Sequence, residues 1–124
     1  GQGAALLESL DVTANLEMAR QVRGLVPESP DVAAWIDALG LGPLRDRAVR
    51  VLSGGERQRV GLGRVLAVVP TIAIVDEPTS QQDEANAERL VAVLSAAAAR
   101  GMAVVAATHD PVLVAAADHV LDLT

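Results

Sequence analysis

Apolar residues recur at helical spacing in the first half of the chain and in short continuous runs in the second. Val12, Leu16, Ala19 and Val22 share one face and predict an amphipathic helix, ended by Gly24 and Pro27. Ser29-Pro30-Asp31 joins a capping residue, a first-turn proline and an early acid, so a second helix starts there. Its buried stripe is Val32, Trp35, Ile36 and Leu39, and Gly40 and Gly42 stop it. A third helix is predicted from Gly54 to Val69, closed by Pro70. The period then changes. Ile72–Val75 is a continuous apolar run before Asp76-Glu77-Pro78, the pattern of a strand buried on both faces. Gln82–Arg100 predicts a helix ended by Gly101. Met102–Ala107 predicts a second buried strand, Asp110-Pro111 starts a helix towards Ala117, and His119–Leu123 predicts a third strand. Strands alternating with helices indicate an α/β fold with a parallel sheet, preceded by an all-helical segment.

Composition narrows the function classes. A chain of 124 residues is at most one domain, and 51% hydrophobic residues suffice for a core. Trp35 is its only aromatic residue, so stacking on bases has almost no candidate. A net charge of −6 also argues against nucleic acid as a partner. Cysteine is absent, which excludes disulfides and thiolate metal sites and leaves cytoplasm as the default compartment. The longest apolar stretch, Val65–Val75, is broken by Pro70 and Thr71 and is too short to span a bilayer. The opening GQGAALLESLDV has no basic region of a signal peptide. It does not begin with Met, and the chain is expected to be cut from something longer. All ten basic residues are arginine, so no lysine-bearing GxxxxGK[ST] phosphate loop is present.

Several short strings carry chemistry. Leu52-Ser53-Gly54-Gly55-Glu56, continued by Arg57-Gln58-Arg59, opens the third helix. Unpaired backbone N–H groups at a helix start favour an anion, and glycines let a phosphate approach them. Ser53-x-x-Glu56 is equally a capping box, which would satisfy the same N–H groups internally. Asp76 and Glu77 end a strand at the sheet edge where ligands of parallel sheets bind. There Asp76 is suited to Mg²⁺ and Glu77 to polarising water, although acid pairs at strand ends are also ordinary. Asp83 follows in Ser80-Gln81-Gln82-Asp83 and is a helix cap by position. His109 ends the second predicted strand, where an imidazole can hydrogen-bond a phosphate; His119 reads as structural.

In this order, LSGGERQRV followed by IAIVDEPTS resembles the signature motif and Walker B strand of ATP-binding cassette (ABC) ATPases. The resemblance implies Asp76 as the Mg²⁺ acid, Glu77 as catalytic base and His109 as the switch histidine. Leu52, Ser53, Gly54, Gly55, Glu56 and Gln58 become the signature face, which reaches the γ-phosphate held by a second ABC subunit. Asp83 becomes the D-loop acid, although Gln81 and Gln82 replace the commoner small and apolar pair. QGAALLESLDVTANL is similar to the Q-loop and its continuation, making Gln2 a contact to Mg²⁺ or water. The implied fold is an incomplete P-loop NTPase (RecA-like) core over 53–124, preceded by the Q-loop and ABC α-helical subdomain over 1–52. Walker A, the adenine-stacking aromatic and the antiparallel β subdomain would lie upstream. The family seats the Walker A strand between the switch strand and the strand matching His119–Leu123. Without it the sheet has a gap, and the chain alone is expected to fold poorly or pair its last strand unusually.

The implied activity is ATP hydrolysis with Mg²⁺ in a head-to-tail dimer driving a membrane permease, peripheral on the inner face of the plasma membrane. The chain by itself is expected to be inactive. Two alternatives stay open: a non-transport ABC ATPase of translation-factor or repair type, and a truncated or accessory chain that supplies only the signature face. The interval between Gln2 and Leu52 is too short for the long coiled coils of repair ATPases, and the acidic charge weighs against ribosome binding.

Overall fold

A computed structural model describes residues 6–123. Five helices and two strands follow in the order α1 (Val12–Val22), α2 (Pro30–Ala38), α3 (Gly54–Ala67), β1 (Ile72–Asp76), α4 (Glu84–Ala99), β2 (Ala103–Ala107) and α5 (Pro111–Ala116). Short 3₁₀ turns at Gly42–Leu44 and Val49–Val51 lead into α3. Side-chain caps explain where the helices begin. Asp11 Oδ1 accepts from the Ala14 N–H at 2.7 Å, and Ser29 Oγ from Asp31 at 3.2 Å. Asp83 and Asp110 cap α4 and α5 in the same way.

The centre of the helical part is α3, which packs against both α1 and α2. Gly63 makes this possible: a Cβ there would lie 3.2 Å from the side chains of both Leu16 and Leu39. Two buried arginines close helix ends. Arg20 donates to the Ala67 carbonyl at 2.8 Å, and Arg59 to the Leu39 carbonyl at 2.9 Å. Burial lowers the Arg59 pKa, a shift that nearby Glu56 opposes. One apolar cluster runs from Val12, Leu16, Ile36 and Leu39 through Val60 and Leu66 to Val75 and Leu90. The segment before α1 is pinned by Asn15, which is fully buried and bonds the Leu7 N–H and the carbonyls of Leu7, Leu10 and Asp11.

Strands β1 and β2 pair in parallel, with Ile72 opposite Ala103 and Asp76 opposite Ala107. Two sequence expectations fail here. The strands are not buried on both faces: Ala73 and Val75 point into the core, while Ile72, Ile74 and Val105 stand 58%, 75% and 55% exposed. Helix α4 packs on β2, and among the described residues nothing covers the outward row. His119–Leu123 is not a strand, and Val120, Leu121 and Leu123 are exposed. A strand needs a neighbouring strand to complete its ladder, and among the described residues this segment joins no sheet.

Candidate functional site

The C-terminal ends of β1 and β2 bring two of the predicted residues together. The Glu77 N–H donates to the Ala107 carbonyl at 2.7 Å and carries the ladder one residue past Asp76. Glu77 then turns the chain with φ 43°, a left-handed conformation that costs a non-glycine residue about 1–2 kcal/mol. Its carboxylate meets the loop after β2. Oε2 accepts from the His109 N–H at 3.4 Å, and Oε1 lies 3.7 Å from His109 Nε2. The second separation is too long for a hydrogen bond and becomes an ion pair only when the imidazole is protonated. His109 is 96% exposed and Glu77 38%, so both side chains face an open surface.

Asp76 is exposed beside them at the strand end. No group of three His, Cys, Asp or Glu residues able to hold a metal occurs among the described residues. One carboxylate still suits Mg²⁺, which commonly takes one or two protein oxygens and completes its shell with phosphate and water. Gln2, the other residue assigned to the metal, lies outside the described residues.

At the start of α3 the capping box is formed in full. Ser53 Oγ accepts from the Glu56 N–H at 3.2 Å, and Glu56 Oε1 from the Ser53 N–H at 2.9 Å. An anion arriving there would have to compete with these bonds. Leu52, just before the cap, is buried in the core. Gly54 and Gly55 face the loop after β1. A Cβ on Gly54 would clash with the flexible Gln81 side chain, and one on Gly55 would lie 2.8 Å from the Gln81 carbonyl oxygen. Gly55 is therefore required by close backbone approach within this chain, before any ligand is considered.

Gln58 joins the two segments. Its Nε2 donates to the Glu77 carbonyl at 3.0 Å and to Ser80 Oγ at 3.1 Å. Its Oε1 accepts from the Gln81 N–H at 3.2 Å and from Gln82 Nε2 at 2.7 Å. Asp83 caps α4 by accepting from the Asn86 N–H at 2.8 Å. The first turn of α3, the loop with Asp83 and the backbone of Glu77 thus form one connected unit.

A half-buried pair escaped the sequence reading. Thr79 is 6% exposed, and its hydroxyl donates to Asp110 Oδ2 at 2.6 Å. Asp110 had signalled only a helix cap, and nothing in the sequence ties it to Thr79. That hydroxyl, followed by the Val112 N–H, holds the Asp110 carboxyl below its ordinary pKa. A lowered pKa favours the folded state above the unfolded value of about 3.9, and the gain is lost as pH falls through that value towards the lower folded one. Thr79→Val is expected to flatten this acid-side loss, which thermal melts from neutral pH to pH ~3 would show; an unchanged slope would remove Thr79 as the cause.

A profile described as ABC transporter matches residues 1–80. The cytochrome c biogenesis ATP-binding export protein CcmA of Rhodopseudomonas palustris is 38% identical over 116 residues, covering 94% of this chain and 57% of that protein. The molybdenum import ATP-binding protein ModC of Rhizobium meliloti is 38% identical over 93 residues, covering 75% of this chain and 26% of that protein. Among solved structures, a dimeric bacterial ABC transporter cassette superposes with a TM-score of 0.81 at 25% identity, over 94% of this chain and 53% of that one. A cassette of an ABC transporter in its ADP conformation superposes at 0.68 with 23% identity, over 90% of this chain and 50% of that one. The chain thus spans little more than half, or less, of these relatives.

Proposed function

Because the chain belongs to the ABC transporter ATP-binding family, we propose that it supplies the signature face and the water-activating residues of an ATPase that drives transmembrane transport. The family implies ATP binding and hydrolysis in general, and import and export proteins alike stand among the relatives. The observation that carries the reading is the convergence of Glu77 and His109 at one end of the parallel strand pair, with Gln58 tying the signature turn to the same loop.

In this reading Glu77 accepts the proton of a water attacking the γ-phosphate in line, and His109 donates to the transferring phosphoryl oxygens. Asp76 would hold Mg²⁺, and the ion would supply positive charge against the phosphates. The N–H groups of the signature turn face the γ-phosphate of an ATP gripped by another cassette. With no lysine of its own, the chain leaves the grip on the β- and γ-phosphates to residues elsewhere. Two such cassettes associate head to tail against a membrane permease on its cytoplasmic side. No described helix is long and apolar enough to cross a membrane.

Mixing two defective cassettes that contain this chain tests the arrangement. Glu77→Gln disables the base, and Gly54→Asp sets a negative charge on the signature turn. If the signature acts across the dimer, one site of the mixed pair carries both defects and the other carries none. Two inactive preparations should then regain ATP hydrolysis on mixing. Continued inactivity of a mixture shown to dimerise would mean that signature and base serve the same site.

A further inference from the structure

Resting on that reading of Glu77, we propose that Gln82 is a positioning residue that clamps the signature turn to the loop carrying the base. Gln82 Nε2 donates to the Gly55 carbonyl at 2.9 Å and to Gln58 Oε1 at 2.7 Å. Gln58 spends its remaining capacity on the Gln81 N–H, Ser80 Oγ and the Glu77 carbonyl. Both donors and both acceptor positions of the Gln58 amide are thereby used, so its orientation is determined rather than free. Glu77 sits in a left-handed conformation that surrounding bonds must hold in place. The bond from Gln58 is one of them, and Gln82 fixes Gln58 from the other side.

The contact also sits where the two backbones already touch, at Gly55 and Gln81. Gln82 adds a hydrogen bond across that seam. An apolar residue at this position could fill the space but could not donate to the Gly55 carbonyl. Under the head-to-tail arrangement, the signature and the base of one chain serve different ATP sites.

Two measurements decide this. In amide hydrogen exchange of cassettes that contain this chain, Gln82→Leu should speed exchange of the Gln81 N–H about tenfold while the amides of α1 keep their rates. An unchanged Gln81 rate overturns the clamp. In assembled cassettes, Gln82→Leu and Gln58→Leu should each lower kcat about tenfold, leave the KM for ATP within about twofold, and lose no more when combined. Gln82→Glu, which keeps the shape but cannot donate, should behave like Gln82→Leu; a residue that only fills space would tolerate it. Losses that multiply, or that fall on KM, overturn the positioning role. If the unaltered cassette hydrolyses no ATP, the functional reading fails, and the exchange measurement still decides the clamp.

Discussion

Glu77→Gln is expected to lower ATP turnover of an assembled cassette by about 10²–10⁴-fold, the contribution of a positioned general base. Glutamine keeps the size of the side chain and its place beside the His109 N–H, so the loop has no steric reason to move. What is lost is the capacity to take a proton from water. ATP affinity should therefore persist, and the decrease should appear in kcat. Single-turnover hydrolysis with saturating ATP, beside a nucleotide-binding measurement, separates the two. A variant that retained near-normal turnover would remove Glu77 from the chemistry and leave its left-handed backbone without a functional account.

The largest effect on stability is expected at Asn15. Its amide is fully buried and bonds one N–H and three carbonyls of the segment that enters α1. Asn15→Ala abandons all four at once and opens a small cavity. The three carbonyls keep backbone donors, so the cost, about 3 kcal/mol, comes from the lost bonds, the stranded Leu7 N–H and the cavity. For a chain of this size that corresponds to a melting temperature lower by about 10 °C. The segment 7–10 also bonds forward to Val49 and Arg50, so its release would loosen the approach to α3. Chemical denaturation of the parent and Asn15→Ala chains measures the difference. A change below ~0.5 kcal/mol, the scatter typical of surface substitutions, would show that the segment holds itself without Asn15.

The helices were legible in the sequence because each carries its own start and stop. Asp11, Ser29, Ser53, Asp83 and Asp110 all cap where the pattern placed a helix start. Strand burial was not legible, because an apolar run does not say whether both faces find partners. Ile74 and Val105 belong to such runs and stand exposed. The run His119–Leu123 has strand composition, but among the described residues it joins no sheet. At the site, the motif residues were readable one by one, and their connections were not. Gln58 looked like a continuation of the signature, and Gln82 like a departure from the D-loop pattern. Only the fold sets the two amides 2.7 Å apart. Thr79 and Asp110 are likewise distant in sequence and adjacent in space.

The outward row of Ile72, Ile74 and Val105 has a consequence for how this polypeptide fares in a cell. Open strand edges beside an apolar face are templates for adding further strands. Left uncovered, such a face would attract chaperones and proteases. Covered by a complement, the same row would tie the amount of this chain to the amount of its partner.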